Sequence, residues 1–207
     1  MPLTDVALAK SSTALPRDVR EFLDEADERI DEFQRETRVP AFVPSDYEGA
    51  YAVLRGLITS PYLRGNRFCE WGSGYGVVAC LAAELGYESY GIEIDGELVA
   101  AARQLAEDFH FEVEFAQGSF VPRGGDARVH AAGSYSWFTT ESDYVYSDLG
   151  HTPDDFDLVF AYPWPDEEAV TADLFDHYAG AGALLATYTG EGFRVRRKVG
   201  KRSPKKR

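Results

Sequence analysis

The stretch Cys69-Glu-Trp-Gly-Ser-Gly-Tyr-Gly76, CEWGSGYG, places three glycines at alternate positions directly after a short apolar run. Glycine at this density costs conformational entropy, so the chain must need bare backbone here. A loop of this kind lets a ligand approach the main chain, and two ligands are considered, a nucleotide phosphate and a sulfonium nucleoside. The two lead to different classes of enzyme.

Alternating strand and helix patterns surround this loop. The segments RFCEW, ESYGIEI, FEVEFAQ, FDLVFAY and ALLATYT are short and apolar, and most are separated by apolar positions spaced three and four residues apart. This alternation is typical of a parallel sheet with helices on both faces. The sequence therefore predicts an α/β, doubly wound fold.

The N-terminal part is different. Residues 1–15 are predicted to be disordered, and residues 17–37 form one amphipathic helix. Ser45 and Glu48 match a capping box that opens a second helix, which ends near residue 59. We expect one compact unit made of an N-terminal disordered segment and helical cap (1–62), a strand-and-helix domain (63–199) and a basic tail (200–207).

Charge is distributed unevenly along the chain. The net charge is −14, yet the last fourteen residues carry nine basic residues and no acid. An acidic body repels nucleic acid, so nucleic acid is expected as a partner only through the tail, which is otherwise a solvated terminus. No secretory signal or membrane span is visible, which predicts a soluble, cytoplasmic protein. Cys69 and Cys80 are expected to be small core residues, and no metal site is expected.

Two acidic residues decide between the two ligands. Glu70 stands two residues before Gly72, where a carboxylate is a poor neighbour for a pyrophosphate and a good one for an ammonium group. The glycines are also spaced GxGxG, whereas a dinucleotide fingerprint is GxGxxG. Glu93 ends the second strand, where an acid can accept hydrogen bonds from ribose hydroxyls, and Ile94 would pack on adenine. S-adenosylmethionine fits this polarity.

Glu70, the GxGxG loop and Glu93 together resemble class I S-adenosylmethionine-dependent methyltransferases, over about residues 67–185. The resemblance implies a Rossmann-like cofactor-binding domain in which Glu70 holds the methionine amine and Glu93 holds the ribose. It implies a cofactor site made of Glu70, Gly72, Ser73, Gly74, Gly76, Glu93, Ile94, Gly118 and Ser119. Family members usually follow the fifth strand with a helix, a sixth strand and an antiparallel seventh, but here a short glycine turn follows ALLATYT at once, so we predict a mostly parallel sheet of six strands in the order 3-2-1-4-5-6. Because a turn as short as the one after ALLATYT joins only antiparallel neighbours, residues 193–199 are predicted to be an antiparallel, exposed edge strand.

The end of the fourth predicted strand is the expected acceptor site. Tyr162, Pro163 and Trp164 resemble the family's Asp/Asn-Pro-Pro-aromatic motif, although Ala161 stands in the polar position. Backbone carbonyls could accept the substrate N–H while Trp164 stacks on the substrate or contacts a charged amine, or the turn could simply pack. These three residues are the catalytic candidates.

Other candidates are weaker. Tyr162, Asp166 and His151 are considered as a general base. Ser45, Asp46 and Tyr47 could contact the cofactor, because some family members fold this region over it. The aromatic-rich segment 119–155 is interpreted as a substrate-facing flap.

The sequence thus predicts a methyltransferase acting on a small molecule or a protein side chain. An NAD(P)-linked oxidoreductase and a non-catalytic nucleoside-binding module remain the alternatives.

Overall fold

A single sheet organises the chain in the computed structural model, which describes residues 3–7, 14–37, 39, 42–133, 139 and 144–200. Its strands, in chain order, are β1 (Leu3–Asp5), β2 (Arg67–Trp71), β3 (Glu88–Glu93), β4 (Val113–Gln117), β5 (Leu158–Ala161), β6 (Leu184–Tyr188) and β7 (Phe193–Lys198). They lie in the order β1-β7-β6-β5-β2-β3-β4. The strands β2 to β6 are parallel, as their near-continuous apolar sequences indicate.

β7 runs antiparallel to β6, which confirms the inference from the short glycine turn. The prediction of six strands is wrong, because β1 pairs antiparallel with β7 and makes a seventh. β7 is therefore not an exposed edge, and residues 3–5 do not belong to a disordered segment. The Asp5 carboxylate accepts two hydrogen bonds from the Arg194 guanidinium, at 2.7 and 3.1 Å, across the two paired strands.

Helices cover both faces of the sheet. They are α1 (Arg17–Glu36), α2 (Tyr47–Ile58), α3 (Val77–Glu84), α4 (Gly96–Asp108), α5 (Asp126–Ala132), α6 (Val145–Asp148) and α7 (Glu168–Tyr178). The first four share one apolar core with the face of the sheet that carries Phe68 and Phe160. The last three share a second core with the face that carries Val159 and Leu185. The fold is thus a doubly wound α/β fold, with both faces of the parallel strands buried.

The start of α2 differs from the predicted capping box. Asp46, not Ser45, is the N-cap residue, and its Oδ1 accepts a hydrogen bond of 2.9 Å from the Gly49 amide. The Ser45 hydroxyl does not cap the helix. Its Oγ is buried and has no hydrogen-bond partner among the described residues.

The segment between β4 and β5 contributes two short helices to the core, while Ser119, Phe120 and Thr139 of the same segment line the cavity at the strand ends. Val129 of α5 and Val145 and Tyr146 of α6 are buried in the second core. The interpretation as a substrate-facing flap is therefore wrong for these two helices. Its aromatic residues Tyr135, Trp137 and Phe138 lie outside the described residues, as do residues 201–207 of the basic tail.

Cys69 and Cys80 are both fully buried, as predicted, and burial raises the pKa of each thiol. Among the described helices, none combines the length and the apolar character that crossing a membrane requires.

Candidate active site

A cavity of about 830 Å³ opens at the carboxyl ends of the parallel strands. Residues at or just after the ends of all five strands from β2 to β6 line it, and such strand ends are where open α/β sheets bind ligands. The cavity contains eight of the nine predicted cofactor residues and all three catalytic candidates: Glu70, Gly72, Ser73, Gly74, Glu93, Ile94, Gly118, Ser119, Tyr162, Pro163 and Trp164. The structure therefore brings these residues together around one cavity, while the role of each stays a prediction.

The glycine loop joins β2 to α3 with three left-handed residues. The φ angles of Gly72, Gly74 and Gly76 are 71°, 53° and 77°, which side chains rarely adopt. A Cβ on Gly74 would lie 2.7 Å from the Phe42 ring, and one on Gly76 would lie 2.6 Å from the Phe115 ring. At Gly72 nothing lies within 4 Å of that position, so there the bare backbone faces open space.

Gly76 does not line the cavity. It is the N-cap residue of α3, and its glycine is explained by close packing against Phe115 and Ala102. The predicted role of Gly76 in the site is thus limited to shaping the loop.

Glu93 anchors the loop directly, which sequence reasoning missed. One carboxylate oxygen accepts a hydrogen bond of 2.8 Å from the Gly74 amide, and the other accepts from the amides of Ile94 and Asp95 at 2.8 and 3.0 Å. The side chain therefore ties the end of β3 to the glycine loop while it lines the cavity. No sequence pattern indicates such a contact, because it depends on how β2 and β3 pair.

Glu70 is a buried acid at the base of the cavity, with 5% of its surface exposed. Its Oε2 accepts a hydrogen bond of 2.9 Å from the Ala79 amide in the first turn of α3. Desolvation raises the pKa of Glu70 well above its ordinary value, and the nearby charge of Glu93 adds to the shift, while the Ala79 amide opposes it. A cationic group in the cavity would relieve this cost, because it would compensate a charge taken out of water.

Two hydroxyl groups on the cavity wall have no hydrogen-bond partner in the part of the chain that the structure describes. Ser73 is 5% exposed, and both its Oγ and the Ser45 Oγ are buried without a hydrogen bond among the described residues. Buried polar atoms are normally paired, so these two indicate that a ligand or ordered water completes the site.

The N-terminal part supplies one side of the cavity through Val39, Phe42, Val43, Ser45 and Tyr47. Phe42 stacks near Tyr75 with ring centroids 6.5 Å apart. Burial raises the pKa of Tyr47 strongly, and the neighbouring Glu70 charge adds to this, so the phenol stays protonated. Of the three second-rank candidates, Ser45 and Tyr47 line the cavity, whereas Asp46 does not and caps α2.

The cavity also contains residues that sequence reasoning missed, at the N-terminal end of α7 and after β6: Glu167, Glu168, Thr171, Thr189 and Glu191. Glu167 is only 5% exposed. Its amide donates a 2.9 Å hydrogen bond to the Trp164 carbonyl, and its own carbonyl accepts from the Thr171 hydroxyl at 2.9 Å. The turn after β5 thus holds an aromatic residue and an acid together. The run of three acids at 166–168 could have indicated that acids line the cavity. Acids are common at the start of a helix, however, because they interact favourably with the helix dipole, so the run is a weak signal.

Two of the three candidate bases, His151 and Asp166, do not line the cavity. His151 lies near the amino end of β3, where its Nε2 is 2.8 Å from the Tyr90 hydroxyl and 4.0 Å from Glu88, the first residue of that strand. Asp166 is exposed and does not line the cavity. Tyr162 remains on the wall, and its ring lies 4.9 Å from that of Tyr188.

Among the described residues, no group of three or more His, Cys, Asp or Glu side chains is placed to hold a metal ion.

Comparison with known proteins shows similarity in fold. No protein-family model matches the sequence, and no curated protein matches it. The S-adenosylhomocysteine-bound methyltransferase PaMTH1 of Podospora anserina is 14% identical, with a TM-score of 0.51 over 84% of this chain and 62% of that one. An O-methyltransferase from Bacillus cereus, solved with the same ligand, is 14% identical, with a TM-score of 0.50 over 84% of this chain and 66% of the other. The chain thus spans somewhat less than two thirds of the length of each. Its strand order, its glycine loop and these structural likenesses together show that the chain has the Rossmann-like fold of class I S-adenosylmethionine-dependent methyltransferases.

Proposed function

We propose that this protein is an S-adenosylmethionine-dependent methyltransferase whose acceptor is a small molecule or a protein side chain. One observation carries the proposal: two acids, Glu70 and Glu93, flank an open glycine loop on the wall of a large cavity at the strand ends. The proteins of similar fold from Podospora anserina and Bacillus cereus were both solved with S-adenosylhomocysteine, the product of S-adenosylmethionine. Their shared ligand supports the same cofactor here.

The local electrostatics favour a sulfonium nucleoside over a dinucleotide. In dinucleotide-binding folds the pyrophosphate binds the free amides at the start of the first helix. Here the Glu70 carboxylate already accepts the hydrogen bond of the Ala79 amide in the first turn of α3. A pyrophosphate in this position would meet a carboxylate, whereas an amino group would be attracted by it.

The cofactor residues fit the predicted roles. Glu70 would hold the amino group, and Gly72, which faces open space, would let the ligand reach the main chain. Ile94 lies on the cavity wall with 56% of its surface exposed, an unusual state for a large apolar side chain that suits packing on adenine. Ser73 Oγ supplies an unpaired hydroxyl.

When bound, S-adenosylmethionine would supply an electrophilic methyl group on a cationic sulfur. The protein's contribution is then to align the acceptor and to exclude water, and alignment alone can account for about 7–11 kcal/mol of a barrier. Tyr162, Pro163 and Trp164 line the same cavity as the glycine loop and are the residues proposed to position the acceptor.

Isothermal titration calorimetry with S-adenosylhomocysteine and with NAD tests the proposal. We expect saturable, one-to-one binding of S-adenosylhomocysteine and no binding of NAD. Binding of NAD alone would support an oxidoreductase and contradict the proposal. If S-adenosylhomocysteine binds but a broad acceptor panel shows no methyl transfer, the non-catalytic alternative is favoured.

A further inference from the structure

We propose that the methyl acceptor is a cationic amine, which Glu167 and Glu191 attract and the aromatic residues Trp164 and Tyr162 hold. This inference rests on the proposed methyltransferase function and specifies the substrate class of the same site. It starts from the charges on the cavity wall. Among the described lining residues six are acidic, and none is lysine, arginine or histidine: Glu70, Glu93, Asp95, Glu167, Glu168 and Glu191.

The six acids fall into two groups. Glu70, Glu93 and Asp95 lie at the ends of β2 and β3, where the cofactor is proposed to bind. Glu167 and Glu168 lie at the start of α7, and Glu191 lies in the turn between β6 and β7. The second group follows β5 and β6, which lie on the other side of β2 from β3 and β4, so the proposed cofactor roles leave its charges unexplained.

A helix start explains only part of this second group. Acids are favoured in the first turn of a helix by its dipole, which could account for Glu167 and Glu168. Glu191 belongs to no helix, yet it lines the same cavity. The hydrogen bond to Asp5 is the main cause that raises the pKa of the Arg194 guanidinium, and the nearby Glu168 charge adds to the shift. Glu167, which is 5% exposed and lines the cavity, and Glu191, at its exposed rim, are the pair assigned to the acceptor.

The cavity also carries independent signs of a ligand. The Ser73 hydroxyl, in a residue that is 5% exposed, lines the cavity without a partner among the described residues. The volume of about 830 Å³ lies in the upper part of the range of about 300–1,000 Å³ found for small-molecule pockets. There is thus room for an acceptor beside the cofactor.

Aromatic rings on the acceptor side suit a cation. Trp164 and Tyr162 line the cavity. A main-chain hydrogen bond from the Glu167 amide to the Trp164 carbonyl holds the tryptophan and the acid in one turn. The face of an aromatic ring attracts an ammonium group, and a carboxylate partly shielded from water attracts it more strongly than an exposed one does.

The same charges disfavour oxygen acceptors. A phenol or carboxylic acid reacts best as its anion, and six nearby carboxylates would raise its pKa and repel the anion. An ammonium group is bound more tightly because of them, but they also raise its pKa, so its deprotonation by a wall carboxylate or water is a separate, unfavourable step that must precede transfer. The neutral amine then presents a lone pair. The amine nitrogen then forms a bond to the methyl carbon while the carbon–sulfur bond breaks, with its electron pair remaining on sulfur. The positive charge moves from sulfur to nitrogen, and an acidic cavity stabilises it at both ends.

Three indole probes of different charge test the inference on the protein saturated with S-adenosylhomocysteine. Tryptamine is cationic, tryptophol is neutral and indole-3-acetate is anionic, while their ring is the same. We expect tryptamine to bind at least about tenfold more tightly than tryptophol, a difference of about 1.4 kcal/mol. Indole-3-acetate should bind most weakly, and added salt should weaken only the binding of tryptamine. Cadaverine and agmatine extend the test to amines without an aromatic ring.

Charge-removing variants identify the residues. Glu167→Gln and Glu191→Gln should each weaken tryptamine about three- to tenfold and leave both tryptophol and S-adenosylhomocysteine unchanged. Glu112→Gln, which changes an exposed acid that does not line the cavity, is the matched control. If Glu167→Gln does not fold, Glu191→Gln still gives the answer, because Glu191 is exposed in a turn.

The outcomes distinguish a failure of the proposed methyltransferase function from a failure of the cationic-amine inference. If S-adenosylhomocysteine does not bind, the proposed function fails and this inference fails with it. If S-adenosylhomocysteine binds but no amine probe binds more tightly than tryptophol, only the inference is overturned. Methyl transfer to the hydroxyl of tryptophol in preference to the nitrogen of tryptamine, detected by mass spectrometry, would overturn it equally.

Discussion

Replacing Glu93 by glutamine should loosen the glycine loop before any ligand is added. The carboxylate accepts three main-chain hydrogen bonds, from Gly74, Ile94 and Asp95, at 2.8–3.0 Å, and the side chain is 9% exposed. Glutamine has one acceptor oxygen, so its amide NH₂ must face at least one of these donors. At least one hydrogen bond to a charged group is then lost, at a cost of about 1–3 kcal/mol in unfolding free energy.

Urea unfolding of the ligand-free protein measures this stability change, and calorimetry measures the affinity for S-adenosylhomocysteine. We expect Glu93→Gln to weaken that affinity at least about tenfold, or about 1.4 kcal/mol. Glu97→Gln is the control, because Glu97 is exposed and does not line the cavity. Unchanged stability in Glu93→Gln would refute the loop-anchoring role. If Glu93→Gln lowers the free energy of unfolding but leaves the affinity for S-adenosylhomocysteine unchanged, Glu93 anchors the loop and does not bind the cofactor.

Three further predictions concern other parts of the account. Burial raises the pKa of Glu70, so the folded state binds the Glu70 proton more tightly than the unfolded state does. The free energy of unfolding therefore falls as the pH rises above 4.5, the ordinary pKa of a glutamate, because the buried side chain must then carry a charge. Glu70→Gln should therefore be at least as stable as the parent at neutral pH in urea unfolding yet bind S-adenosylhomocysteine more weakly, and a less stable variant would contradict this. Gly74→Val should abolish binding of S-adenosylhomocysteine, because Gly74 has a φ of 53° and its Cβ position lies 2.7 Å from the Phe42 ring. Gly56→Ala, in open space within α2, is the control and should bind normally. Normal calorimetric binding by a folded Gly74→Val variant would place the cofactor elsewhere. Deleting residues 1–7 should speed amide hydrogen exchange in β7 and leave β6 protected, and unchanged exchange would show that β1 does not cover this edge.

The strand pattern and the glycine loop could be predicted from the sequence because both are local. Parallel strands buried on two faces are apolar runs, and a turn that needs left-handed residues leaves glycines behind. Glu70 and Glu93 could be placed on the cavity wall for the same reason. Each acid has a fixed offset from a strand end, and the carboxyl ends of parallel strands meet at one edge of the sheet.

Contacts between distant segments could not be predicted. β1 has three residues, too few for a period-two pattern, and its pairing with β7 joins opposite ends of the chain. The bond from the Gly74 amide to Glu93 depends on the pairing of β2 with β3, and the placement of Glu191 in the cavity depends on the turn between β6 and β7.

Two local errors have local causes. Ser45 and Asp46 are both good N-cap residues, and a capping-box pattern favoured the wrong one. His151 was considered as a base because of its chemistry alone, whereas the fold places it at the amino end of β3.

Hydrogen–deuterium exchange with and without saturating S-adenosylhomocysteine tests the central claim most directly, because it reports both binding and its location. With S-adenosylhomocysteine bound, we expect slower exchange than in the free protein in peptides that cover the ends of β2, β3 and β4, at residues 70–76, 92–95 and 117–120. Peptides at the amino ends of the same strands, such as residues 86–89, should exchange at an unchanged rate. Protection confined to another surface, or no protection under conditions that saturate other methyltransferases, would contradict the assignment of this cavity as the cofactor site.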